Sequence, residues 1–150
     1  MPLSNPTSKC EALPEDLIAW TDGRVLTATG SPFGPVTHQG RIYQIAQSNN
    51  ALVFPGLGLG VTVAKARRIS DRMIAAAADA VARLSDATTP GAALLPPMDD
   101  LRGVSAAVGI AVATTAAEEG LAQVQLHNPI QQIHDAMWRP DYPHIELTWS

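Results

Sequence analysis

Arg24-Val25-Leu26-Thr27-Ala28-Thr29, broken off by Gly30-Ser31-Pro32, is the stretch on which the fold turns. Its β-branched content predicts a strand over 24–29, and the Gly-Ser-Pro run predicts a rigid stop after it. Upstream, Pro14–Trp20 reads as a short helix, with Pro14 at its first position and Glu15 and Asp16 in its first turn. Thr21-Asp22-Gly23 closes that helix. Earlier still, Met1–Pro6 reads as the last residues of a strand and a turn, because Pro6 disfavours the helical region at Asn5. A Pro/Gly loop after Pro32 leads to Arg41–Ile45, a further extended segment. Strand and helix thus alternate through residues 1–48, which points to an α/β sheet.

Residues 49–138 read as mostly helical. Asn49-Asn50 can cap a glycine-containing segment starting near Ala51. Ser70 is the expected N-cap of a helix over Asp71–Leu84, with Met73, Ala77, Val81 and Leu84 on one face. Asp99 or Asp100 can cap a helix running to about Glu119, striped by Leu101, Val104, Val108 and Ala111. Asn128 and Pro129 start a last helix whose apolar face is Ile130, Ile133 and Met137. Ala87–Pro97 reads as an exposed connection, and residues 139–150 as a tail. No internal repeat or second domain is visible.

Composition excludes several classes. The chain has 150 residues, 46% hydrophobic and 16% charged, with a net charge of −4. A chain of this length buries about 68–70% of its unfolded surface, enough for one core. The acidic balance and the lack of Lys/Arg runs argue against a nucleic-acid or polybasic membrane-surface partner. Cys10 is the single cysteine, so no intramolecular disulfide forms and a reducing compartment is the default. The start of the chain has no apolar leader-like run, and Ala51–Ala64 is too short and too rich in Gly and Pro to span a bilayer. A soluble, cytoplasmic protein is expected.

Few residues carry chemistry by local pattern alone. Asn5 falls where a strand gives way to a loop, at the edge where open α/β sheets bind ligands. An amide there can donate and accept without charge. Asn49 and Asn50, at a helix start, could do the same, but local pattern alone favours capping for all three asparagines. Gly30-Ser31-Pro32 could hold backbone groups toward a ligand or be a plain turn. Gly56-Leu57-Gly58-Leu59-Gly60 lacks the spacing and the preceding strand of a dinucleotide fingerprint, so close helix packing is expected instead. His38, His127, His134 and His144 show no metal-ligand spacing. Asp99-Asp100 suit a helix cap better than an acid–base pair, and Lys65, Arg67 and Arg68 suit a helix end. Cys10 sits between Lys9 and Glu11 with no consistent thiolate-stabilising surroundings. Ser4, Ser8 and Ser31 lack a nucleophile elbow. No complete catalytic set assembles.

Four motifs in order, Leu3–Ser8, Trp20–Arg24, Thr29–Val36 and Asn49–Gly60, resemble the C-terminal part of malic enzymes. These are NAD(P)-dependent malate dehydrogenases that decarboxylate oxaloacetate. The resemblance continues through Ala93–Pro97 and Met137–Pro140, so it covers nearly the whole chain, and its later part is most similar to the bacterial NAD-dependent type. It implies a partial Rossmann-like, doubly wound NAD-binding domain with trailing C-terminal helices. It further implies that Asn5 and Asn50 lie at the nicotinamide and the malate carboxylate, with Asn49, Gly30 and Ser31 close to substrate or cofactor.

The same resemblance implies what is missing. The tyrosine and lysine used for acid–base work, the carboxylates that bind Mg²⁺ or Mn²⁺, and the pyrophosphate-binding glycines all fall upstream of the matched region. Tyr43, Tyr142, Lys9 and Lys65 inherit none of those roles. A self-contained α/β domain seldom opens on the end of a strand, so Met1 reads as a start placed inside a longer ancestral chain, with a short edge strand at a natural terminus as the alternative. The implied function is that of a piece of an NAD-dependent malic enzyme, NADP also being possible, that forms a homo-oligomer and is inactive alone. A non-catalytic binding or assembly module is the alternative, and a stand-alone regulatory nucleotide binder a further one.

Overall fold

The computed structural model describes residues 1–140 and Tyr142; the remainder of the expected tail lies outside the described residues. Helix α1 spans Pro14–Trp20, followed by strands β1 (Ala28–Thr29), β2 (Val36–His38), β3 (Arg41–Tyr43) and β4 (Ala46–Gln47). Helices α2 (Phe54–Ala64), α3 (Asp71–Ala82), α4 (Leu101–Glu118) and α5 (Pro129–Ala136) complete the order.

β1 and β4 run parallel, pairing Ala28 with Ala46 and Thr29 with Gln47. Met1–Leu3 lies along the other side of β1, joined by one backbone bond in which Gly30 N–H donates to the Pro2 carbonyl at 3.0 Å. That segment is not a regular strand, and β1 is shorter than expected: of 24–29 only Ala28 and Thr29 have a ladder partner. A strand is a property of its neighbours, and residues 24–27 have none. The loop after Pro32 contains a strand, β2, that pairs antiparallel with β3, Val36 opposite Tyr43 and His38 opposite Arg41. The extended segment 41–45 is therefore divided, its first half belonging to this hairpin rather than to the parallel sheet.

Helix α4 is the centre of the helical layer. Val104, Val108, Val112, Ala113 and Ala116 are fully buried, and Gly109 and Ser105 are buried too. The expected single stripe is wrong in kind, because α2, α3 and α5 cover α4 on several sides and only small residues permit that. A Cβ on Gly56 would lie 2.6 Å from Val108 Cβ, and one on Gly60 2.6 Å from the Gly109 carbonyl oxygen. Met73, Ala77 and Val81 bury the facing side of α3, and Ile133 does so for α5. Leu84 lies past the end of α3 and is 44% exposed, and Ile130 faces outward.

Caps are local and mostly as expected. Ser70 Oγ accepts from Met73 N–H at 3.2 Å, and Asn128 Oδ1 accepts from Gln131 N–H at 3.2 Å. Asp100 occupies the N-cap position of α4 but makes no side-chain cap bond; its carboxylate lies over Gly103 instead. Ala87–Pro97 is not a free connection. Gln44 N–H donates to the Gly91 carbonyl at 2.8 Å, and Pro96 is fully buried. Among the described residues no helix is long and apolar enough to cross a membrane.

Candidate functional site at the carboxyl edge of the sheet

Because β1 and β4 are parallel, their carboxyl ends open on one edge, where ligands of α/β sheets bind. Beyond β1 come Gly30 and Ser31, and beyond β4 come Ser48, Asn49 and Asn50. Leu3, Ser4 and Asn5 arrive beside them from the first segment. The parallel ladder continues past the strands, with Ser48 N–H donating to the Thr29 carbonyl at 2.7 Å.

The turn at Gly30 is tied on every side. Its N–H goes to Pro2, and its carbonyl accepts from Gln47 Nε2 at 3.1 Å. A Cβ there would lie 2.1 Å from the Leu3 carbonyl oxygen, so only glycine lets the two segments meet this closely. Thr29 Oγ1 donates to the Ser31 carbonyl at 2.8 Å within the buried layer. Ser31 is only 3% exposed, and its hydroxyl donates to Asn5 Oδ1 at 2.5 Å. Asn5, Gly30 and Ser31 therefore form one unit, twenty-six residues apart in sequence at its ends.

The two other asparagines divide their labour. Asn49 Oδ1 accepts from Ala51 N–H at 3.0 Å and caps the 3₁₀ turn Asn50–Leu52. Asn49 is thus the cap, while Asn50 is exposed and is not the capping residue. Gln47 and Thr29 escaped the sequence reading. A signal existed: in an extended segment Gln47 and Asn49 share a face, so a second amide two residues ahead of the Asn pair belongs to the same edge.

A second bracket holds the loop that carries Asn5. Glu11 accepts from the Ser4 hydroxyl at 2.8 Å and from Ser4 N–H at 3.2 Å. The backbone N–H of Glu11 itself, then the Ser4 hydroxyl, lowers this carboxyl below its ordinary value.

A more enclosed space lies elsewhere. A cavity of about 340 Å³ opens at the amino end of β1, lined by Val25, Thr27, Arg41 and Tyr43 among others, and touches none of the five site residues. The site is an open edge. Among the described residues no group of three or more His, Cys, Asp or Glu could hold a metal ion, so the side chains in view do not fit a divalent cation. They fit NAD only in part. Neutral amides suit a nicotinamide carboxamide, but Gly56, Gly58 and Gly60 lie inside α2 rather than in a strand-to-helix turn, which leaves no cradle there for a pyrophosphate.

The family model described as malic enzyme, NAD binding domain, matches residues 1–117. NAD-dependent malic enzyme 3 of Bacillus subtilis is 53% identical over 145 residues, which cover 97% of this chain and 26% of that protein. The NAD-dependent malic enzyme of Aliivibrio salmonicida is 47% identical over 98% of this chain and 26% of its own length. In structure, malic enzyme from Pyrococcus horikoshii superimposes with a TM-score of 0.69 and 32% identity, covering 90% of this chain and 27% of that one. The chain thus spans about a quarter of the length of these relatives. With the family model matched through residue 117 and these relatives covering almost the whole chain, the chain belongs to the malic enzyme family, in its NAD-binding domain.

Proposed function

We propose that this chain supplies the nicotinamide and substrate-carboxylate side of a malic enzyme site, for oxidative decarboxylation of (S)-malate to pyruvate and CO₂ with reduction of NAD. The observation that carries this is the meeting of Asn5, Gly30, Ser31 and the Asn49-Asn50 turn at the carboxyl ends of two parallel strands. Bound NAD would supply the hydride acceptor for oxidation at malate C2. Asn5 and Asn50 then bind and orient: uncharged N–H donors hold a carboxylate or carboxamide oxygen without repelling the cofactor. General acid–base groups and any Mg²⁺ or Mn²⁺ ligands come from chain outside this one, so no proton transfer or metal step is assigned to residues present here. The chain divides into a sheet portion, 1–48, a helical portion, 49–138, and a tail, 139–150. It acts in the cytoplasm as part of a homo-oligomer, with NAD preferred and NADP an alternative.

The test is a titration of the ¹⁵N-labelled chain with NAD and with malate. The side-chain amide signals of Asn5 and Asn50 should move at millimolar ligand, and the isolated chain should produce no NADH. Unmoved asparagine amides with either ligand would remove the site, and metal-dependent malate oxidation by pure chain would remove the claim that its chemistry is incomplete.

A second reading, a non-catalytic assembly module, is favoured by exposed apolar surface: Phe54 is 62% and Trp138 78% exposed. Trp138 also lines an open apolar groove with Pro55, Leu59, Leu101 and Met137, and such surface can mark an association site. Sedimentation would favour that reading if the chain self-associates while NAD and malate leave its spectrum unchanged.

A further inference from the structure

We infer that Ser31 is a positioning residue, which turns the Asn5 side chain so that its nitrogen, not its oxygen, faces the ligand. The inference rests on the site reading above and deepens it, because it fixes the polarity of what Asn5 can bind. Ser31 is too buried to meet a ligand itself. Its hydroxyl has one outlet, Asn5 Oδ1 at 2.5 Å. That separation lies in the range of O–H···O bonds and below that of N–H···O bonds, so it selects the amide oxygen as the partner. With Oδ1 occupied, the exposed Asn5 offers its two Nδ2 hydrogens outward. The ligand atom opposite must be an acceptor: a carboxylate oxygen or a carboxamide carbonyl.

The donor itself is held by the parallel edge. Thr29 Oγ1 fixes the Ser31 carbonyl, and Gln47 Nε2 fixes the carbonyl of Gly30 immediately before it. The backbone that carries the Ser31 hydroxyl cannot shift without breaking bonds to both strands. Orientation of an exposed amide is therefore set from the buried layer beneath it, and the entropy of ordering Asn5 is lost on folding rather than on binding.

The ¹H–¹⁵N heteronuclear NOE of the Asn5 side-chain amide reads this directly, without any ligand. In the unaltered chain and in Ser31→Thr, which keeps the hydroxyl, the Asn5 amide should be as rigid as the backbone of β1. In Ser31→Ala it should become mobile, while the amides of Thr29 and Gln47 keep their shifts. Malate-induced shifts at Asn5 should then need roughly five- to tenfold more malate, the size of one positioned hydrogen bond. An Asn5 amide that stays rigid in Ser31→Ala, or that is mobile in the unaltered chain, overturns the inference. Malate that leaves Asn5 unmoved in the unaltered chain, with the rigidity pattern intact, overturns the site reading and upholds the coupling.

Discussion

A Cβ placed on Gly30 would lie 2.1 Å from the carbonyl oxygen of Leu3, with the Gly30 N–H bonded to the neighbouring Pro2 carbonyl. The first segment and the end of β1 are therefore in contact backbone to backbone, and Asn5 is delivered to the edge by that contact. Gly30→Ala must push the two apart. Overpacking against backbone, which cannot rotate away, costs about 1–3 kcal/mol. A fall in Tm of about 2–12 °C is expected, together with loss of the Asn5–Ser31 bond. A Gly30→Ala chain with unchanged Tm and unchanged Asn5 signals would contradict the contact.

Helix α2 offers a comparison within one element. Gly58 faces open space, whereas Gly60 meets the Gly109 backbone. Gly58→Ala should stabilise the chain by about 0.5–1 kcal/mol, by removing backbone entropy from the unfolded state. Gly60→Ala should destabilise it by about 1–3 kcal/mol, since the new Cβ meets the Gly109 carbonyl oxygen and Val112 Cβ, neither of which can rotate away. Urea midpoints read both, and equal effects of the same sign would mean that α2 does not pack on α4 through Gly60.

The Ser4–Glu11 bracket has a defined pH dependence. The Glu11 carboxyl is held below its ordinary value in the folded chain, first by its own backbone N–H and then by Ser4. A depressed folded value means that the bracket's contribution is complete above the unfolded value and is lost as pH falls through the folded one. From pH 7 down to about 5 the Ser4 amide proton should keep its shift; further acidification should release it. Glu11→Gln should remove the acid transition without altering β1 or β4. A Ser4 signal that titrates near neutrality would show that another group controls the loop.

How much of this was legible follows the range of each interaction. Ser70, Asn49 and Asn128 cap within two or three residues of themselves, and local sequence finds such pairs. The β2–β3 hairpin was hidden because its turn is Gln39-Gly40, where both residues take positive φ, 49° and 75°. Asn-Gly is the usual signal for that geometry, and Gln at the first position masks it. β4 is two residues of a parallel pair, Ala46 and Gln47, whose partner lies across the hairpin. Leu84 and Ile130 have the right spacing and the wrong exposure, because helix ends and neighbours decide which face is covered. At the site, Asn5, Asn50 and the Gly-Ser turn were legible through family resemblance. Gln47 carried a weak spacing signal, two residues ahead of Asn49, whereas the buried hydroxyl of Ser31 acts through a contact with Asn5 that no spacing rule encodes.

The adjacent asparagines separate structure from function most sharply. Asn49 spends its oxygen on the Ala51 N–H, so Asn49→Ala strips the cap from the turn leading into α2. Caps of this kind contribute about 0.5–2 kcal/mol, and the urea midpoint should fall accordingly. Asn50 is exposed and is not the cap, so Asn50→Ala should move the midpoint by less than about 0.5 kcal/mol. Ligand response should show the opposite order. Malate-induced shifts along the edge should persist in Asn49→Ala at conditions where it is folded, and should be lost in Asn50→Ala. Two variants one residue apart, one losing stability and the other losing ligand, cannot be explained by a shared role in capping. If instead Asn50→Ala destabilises as much as Asn49→Ala and keeps the malate shifts, the Asn pair is a structural turn and the ligand lies elsewhere on the edge.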